Sequence, residues 1–437
     1  MGGGLMQLVA YGAQDIYLTG NPQITFWKVV YRRCTNFAIE SVEQTFMGNA
    51  TPGSRATATI SRNGDLVSNC VLEVDITARS GRNAGGDADI NTKLAAGGMY
   101  NLVESVEVEI GGQKIDKHYG AWMEIWCELS CPHCGPKGDD SEQVQSGKGK
   151  IVGHGSTALT AAYAADGNAA VEAVVSGSHT FYVPLCFWFN RNPGLALPLI
   201  ALQYHEVKFN FQFSALGNIF THNEKVHATN ANAVTANAGT AVDSATVNSI
   251  KMFVDYIYLD TEERRRFAQQ SHEYLIDQVQ YTGAVSRSSD AAGQTQSLRL
   301  DFNHPCKELV WVERVLTANA GLCNFDSVGV QGGSALLQLN GHDRFAKRPM
   351  NYFTRVQPLQ HHTNVPYGDR IGVYSFGLRP EDHQPSGTCN FSRIDNATLQ
   401  LTFGAADHAD GSELQVYATN YNVLRIMSGM GGLAYSN

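Results

Sequence analysis

Residues 181–213, FYVPLCFWFNRNPGLALPLIALQYHEVKFNFQF, hold two strand patterns around a proline-bounded turn. In the second, Val207, Phe209, Phe211 and Phe213 alternate with Glu206, Lys208, Asn210 and Gln212. A period of two with one apolar face marks a strand half-buried in a sandwich. In the first, Phe181, Val183, Leu185, Phe187 and Phe189 share one face, and Tyr182, Cys186 and Trp188 on the other are hardly polar. That run reads as a central strand covered on both sides.

A similar layout returns in the second half. An ungapped shift of 192 residues sets Pro193 on Pro385, Val207 on Leu399, Phe209 on Leu401 and Phe211 on Phe403. A shift of 229 sets Val108, Ile110 and Gly112 on Leu337, Leu339 and Gly341. By pattern alone an internal duplication and a chance match of amphipathic strands stand level.

Outward from this stretch, strand patterns crowd the chain: 37–47, 55–62, 66–78, 100–110, 195–202 and 253–260 in the first half. The second half carries 273–282, 296–302, 307–316, 334–345, 371–378, 387–393, 397–403 and 414–424. About eight strands per half, with turn signals between them, suggest Greek-key sandwiches or jelly rolls. Helical periodicity is scarce; Trp122, Ile125, Trp126 and Leu129 predict one short amphipathic helix after Gly120. Residues 1–26 read as an arm, and 261–271, short and charged, as a linker. Two Gly-, Ala- and Ser-rich segments, 136–180 and 214–249, read as long surface loops.

The 437 residues suffice for two or three domains. A formal charge of −9 argues against a nucleic-acid-binding body. The basic run Arg264–Arg266 is explained more cheaply by a strand end or a polar contact. No stretch approaches the roughly 20 apolar residues of a membrane helix, and the N-terminus lacks a secretory pattern. Nine cysteines without framework spacing point to a reducing compartment and a cytosolic origin.

The chemistry-bearing candidate is Cys127-Glu-Leu-Ser-Cys131-Pro-His133-Cys134. It admits an iron–sulfur spacing, a thiol-oxidoreductase tail, or a zinc site on Cys127, Cys131 and Cys134 with His133 or His118 as fourth ligand. The first two need an α/β setting that the pattern does not offer, so free or disulfide-linked thiols are the simpler expectation. His205-Glu206 and His272-Glu273 lack the second histidine of a zinc protease, since Phe209 and Ile276 stand there. No nucleophile elbow or phosphate loop appears, so no catalytic residue and no cofactor is expected. Sequons stand at Asn49, Asn390 and Asn396; without a secretory signal they read as chance matches rather than glycan sites.

Several long runs resemble the major capsid proteins of chlorella viruses. They are AYGAQDIYLTGNPQITFWKVVYRRCTNFAIES from Ala10, EIGGQKIDKHYG from Glu109, PGLALPLIALQYHEVK from Pro193, VDYIYLDTEERRRFAQ from Val254, QPSGTCNFSRIDNATL from Gln384 and NYNVLRIMSGMGGLAY from Asn420. The resemblance implies an all-β chain of two tandem eight-stranded antiparallel jelly rolls with long loop insertions. It decides for the duplication and sets the expected layout: arm 1–26, first roll 27–262, linker 263–272, second roll 273–437. It further implies a structural virion protein forming homotrimeric, pseudo-hexameric capsomers over an internal membrane. Expected partners are neighbouring capsomers, minor capsid proteins and penton proteins, with no direct nucleic-acid contact and with assembly in the host cytoplasm. The thiol cluster and the two loop insertions depart from the family pattern. The alternative is a jelly-roll carbohydrate-binding or spike protein of the virion surface.

Overall fold

In the computed structural model the described residues are 3–27, 31–78, 81–82, 88–95, 97–130, 177–226, 245–287, 294–316, 321–326, 333–404 and 411–435. They divide into two compact units, 1–37 and 38–437. The first carries two short helices, Gly3–Val9 and Ile16–Thr19, with no buried residue in either.

The second unit begins with β1 (Phe37–Gln44), β2 (Arg55–Thr59), β3 (Leu66–Ala78), β4 (Val103–Ile110) and β5 (Gln113–Tyr119). Helix α1 (Gly120–Ser130) follows, then β6 (Gly177–Pro184), β7 (Val207–Phe213) and β8 (Ala245–Leu259). One sheet runs β1-β8-β3 with β6 on the far side of β3; the other runs β2-β7-β4-β5. All resolved pairings are antiparallel. The alternation read in residues 207–213 is the observed burial: Val207, Phe209, Phe211 and Phe213 are buried and the residues between them half-exposed.

After α2 (Thr261–Gln269) the plan repeats. Strands β9 (His272–Tyr281), β10 (Thr295–Arg299), β11 (Pro305–Val315), β12 (Ser334–Leu339), β13 (His342–Asp343), β14 (Ile371–Ser375), β15 (Ala397–Thr402) and β16 (Ser412–Met427) form β9-β16-β11 with β14 on β11, and β10-β15-β12-β13. Each strand of the second set holds the position of the strand eight earlier in the first. Two four-stranded sheets in this order, face to face, make a jelly roll, and the chain contains two in tandem.

The sequence shifts found the right strands but not one common register. Val207 pairs with Ile110, whereas Leu399 pairs with Leu337, so β7 and β15 are equivalent with a slip of two residues. A slip of two keeps every side chain on its face, which is why the hydrophobic pattern survives it.

Several expectations are corrected. The run 181–189 is not one central strand. β6 ends at Pro184, and Trp188–Arg191 form a helical turn. Tyr182 is 39% exposed, while Cys186 and Trp188 are buried because the turn tucks them inward. The stretch 195–202 contributes only the two-residue strand Leu197–Pro198. The segment 214–249 is not all loop: Phe220–Val226 pairs with Ala88–Leu94, and β8 begins at Ala245. The segment read as a linker is mostly α2, started by the Asp260 side chain accepting the Thr261 N–H at 2.8 Å. Within the basic run, Arg264 Nε sits 2.8 Å from Asp65 Oδ1.

Helix α1 forms where the 3.6-residue spacing placed it, but it is not amphipathic in its setting. All of Gly120 through Leu129 are buried. Its start depends on a missing side chain: a Cβ at Gly120 would lie 2.3 Å from the carbonyl oxygens of both Tyr100 and Val103.

Candidate functional site: the seam between the rolls

What buries the outer side of α1 is the second roll. Strand β11 explains how a sheet can be covered twice. Leu309 and Trp311 point into the second roll, whereas Val310 and Val312 point out of it and join the core of the first. Ile371 and Val373 on β14, and Tyr417, Leu424 and Ile426 on β16, do the same. A strand with both faces covered reads as a continuous apolar run, as Leu309-Val-Trp-Val312 does.

The first roll meets this outer face with β5, α1 and the turn after β6. Tyr119 packs edge-on to Tyr281 at 4.9 Å; Tyr281 stacks on Tyr417 at 4.7 Å; Trp122 lies 5.5 Å from Tyr417. Burial pushes the Tyr417 hydroxyl far above its usual range, with the neighbouring Tyr281 adding to the effect. Polar groups close the rim. The Val279 N–H donates to Asp116 Oδ1 at 3.1 Å, and the Gln278 amide donates to the Ile115 carbonyl. Asn101 Oδ1 accepts from Leu322 N and Cys323 N at 2.7 and 3.0 Å, and the Asn364 amide donates to Glu128 O at 2.8 Å. The last strand, Met430–Leu433, places the Gly431 N–H 3.1 Å from His205 Nδ1. Beside the tyrosines lies a polar cleft of about 240 Å³, lined among others by Lys117, Arg314 and Glu413.

A second buried constellation sits on the same outer face. His362 Nε2 lies 3.0 Å from Glu308 Oε2, and Nδ1 lies 2.9 Å from Glu381 Oε1. Burial works to lower the His362 pKa, but the two carboxylates outweigh it and raise it to about 9. Glu308 is held below its usual range: burial opposes this, and His362 overcomes it. Thr419 Oγ1 donates to Glu308 at 3.2 Å, and Lys307 Nζ reaches Asp277 at 3.2 Å. The His362 pairs tie β11 to the segment that carries Glu381, and the Lys307 pair ties β11 to β9.

Of the candidate metal ligands, Cys127 is buried on α1, and Cys131, His133 and Cys134 lie outside the described residues. His118 is occupied elsewhere: its Nε2 is 2.9 Å from Asp116 Oδ2, its ring stacks on Phe187 at 4.2 Å, and burial lowers its pKa. Among the described residues no group of three His, Cys, Asp or Glu side chains could hold a metal ion. The sequon residues Asn49, Asn390 and Asn396 are all exposed. Sequence reasoning missed the seam and the His362 network, because nothing in Val310, Val312 or His362 says which partner each meets. The one available signal was the unbroken burial-type run in β11.

Two jelly rolls fused in one chain and joined by an apolar seam are the architecture to set beside known proteins. Residues 25–260 match the family described as major capsid protein N-terminus, and 263–432 match large eukaryotic DNA virus major capsid protein. The chain is 48% identical to the major capsid protein of Pyramimonas orientalis virus and 43% identical to that of Paramecium bursaria Chlorella virus 1, each over the full length of both proteins. Its structure is similar to the PBCV-1 VP54 crystal structure, with a TM-score of 0.71 and 38% identity over 94% of this chain and 100% of that one. The Faustovirus major capsid protein shares the fold, with a TM-score of 0.66 at 13% identity over 95% of this chain and 94% of that one. The chain belongs to the large eukaryotic DNA virus major capsid protein family. It is a structural component of the virion that assembles with itself into the icosahedral shell.

Proposed function

We propose that the chain works as a homotrimer whose six rolls give a pseudo-hexameric capsomer. The observation that carries this is the seam: two rolls fixed side by side by a large apolar contact make one rigid third of such a ring. A threefold object with six similar sandwiches can occupy a sixfold lattice position. The roll boundaries are 27–262 and 273–437, with 263–272 between them. The capsomers assemble in the host cytoplasm over an internal membrane, tied by minor capsid and penton proteins. The arm 1–26 and residues 420–435 lie toward the membrane side or at capsomer contacts. Negative-stain imaging of the purified full-length chain tests the reading: six-lobed particles support it, and isolated two-lobed particles refute it.

A further inference from the structure

Among the described residues the strand ladders bring one pair of cysteines face to face. Cys306 is the second residue of β11, and its partner across the ladder is Cys389 in the two-residue strand Cys389–Asn390. The register holds on the next two steps. Pro305 stands opposite Asn390, and the Phe391 N–H donates to the His304 carbonyl at 3.1 Å. Hydrogen-bonded pairs alternate along an antiparallel ladder, so the bonded pair His304–Phe391 makes Cys306–Cys389 a bonded pair too, with Cα atoms about 5.5 Å apart. That lies within the roughly 4.4–6.8 Å that a disulfide spans. Residues directly opposed in such a ladder send their side chains to the same face.

The face they share is the core of the second roll. Cys306 is buried in it, and Cys389 packs against it half-buried, so one sulfur of the pair is within reach of solvent. Both are free thiols in this structure. The Cys306 S–H donates to Glu308 O at 3.0 Å. Burial pushes both thiols up, with Arg344 pulling against it at Cys389, so thiolate is scarce at neutral pH and exchange there is slow. On the other flank of Cys306 the ladder sets Asn420 of β16. Its side-chain Oδ1 and Nδ2 are both buried without a hydrogen-bond partner among the described residues. An unpaired buried amide is costly, and here its N–H stands where a charged sulfur on Cys306 would take it. The remaining ladder cysteine, Cys70, faces Val254.

We propose that Cys306 and Cys389 are a disulfide site, a latch that closes when the chain meets a disulfide oxidant and reopens under reduction. The accessible Cys389 reacts first. Its thiol loses a proton to solvent, and the thiolate attacks one sulfur of a small disulfide such as oxidised glutathione, forming a mixed disulfide and releasing one glutathione thiol. Cys306 then loses its proton and attacks the Cys389 sulfur, which forms the Cys306–Cys389 bond and releases the second glutathione thiol. Two protein thiols are oxidised and one small disulfide is reduced. The latch encloses more than eighty residues of the second roll, β12, β13 and β14 among them, so closing it takes much of its freedom from the unfolded chain. It also pins the end of the segment whose Glu381 meets His362 and whose Asp382 carbonyl accepts from Lys307. The inference is independent of the trimer reading.

The test incubates the full chain with oxidised glutathione at about pH 8.5, where thiolate is more plentiful, then alkylates the remaining thiols and digests with trypsin without reductant. The expected product is one linked species joining residues 300–307 to residues 371–393, the tryptic peptides that hold the two cysteines, and it should vanish on adding dithiothreitol. The oxidised chain should unfold at higher urea, with its unfolding equilibrium shifted by on the order of a hundredfold, and reduction should reverse the shift. Cys389→Ser should remove both the linked peptide and the redox-dependent shift. Cys34→Ser, at an exposed thiol, should leave both in place. Glutathione retained on Cys389 with Cys306 alkylated, a link from either cysteine to a different one, or equal urea midpoints for oxidised and reduced wild type would each overturn the latch.

Discussion

Raising the pH should loosen the second roll at one histidine. His362 has a folded pKa of about 9 against an ordinary 6.5, with Glu308 and Glu381 at 3.0 and 2.9 Å supplying the rise against burial. A folded pKa above the unfolded one means the protonated ring stabilises the fold. That stabilisation is complete below the unfolded value and disappears as pH climbs through the folded one. The interval corresponds to roughly 3 kcal/mol. The ring is fully buried, so little of this is lost to solvent screening. His362→Gln removes the titrating group and leaves Glu308 buried with a weaker partner. Urea unfolding of wild type and variant at pH steps from about 6 to about 9.5 measures the difference directly. Wild type should lose about 3 kcal/mol relative to the variant across that range, and the variant should start lower. Parallel pH profiles for the two proteins would refute the claim that His362 is charged in the fold.

Other outcomes follow from the same geometry. Trp122→Ala opens a hole where α1 meets Tyr417 and should cost about 3–5 kcal/mol, read as a lower denaturation midpoint. Gly120→Ala should abolish soluble expression, because its Cβ meets two backbone carbonyls. Gly112→Ala, in open space at φ +86°, should cost only about 1–2 kcal/mol by thermal melting. Deleting residues 1–26 should leave the trimer intact by solution mass and stop shell assembly by electron microscopy; monomeric or unfolded product would count against that placement of the arm.

The parts of the fold legible in the sequence are those whose burial is one-sided. β7, and β4 from Val106 to Ile110, alternate because one face meets the core and the other is more open, so their residues state their own orientation. The pair Ala88–Leu94 and Phe220–Val226 escaped notice because its sequences, ADINTKL and FTHNEKV, carry little apolar alternation. Residues 186–189 misled because apolar side chains on both faces can mean a central strand or a tucked-in helical turn, and only tertiary contact separates the two. α1 was found by its period but not its surroundings, since the second roll that buries its outer side lies more than a hundred residues away. The seam itself was illegible for that reason: Val310 and Tyr417 are ordinary strand residues until a neighbour is placed against them.

The central claim is that two rolls locked by an apolar seam form a tile that joins its copies in threes. Solution mass of the purified full-length chain across a hundredfold concentration range tests it most directly. The account predicts a species of three times 47.5 kDa that persists on dilution. A single 47.5 kDa species at every concentration would contradict it.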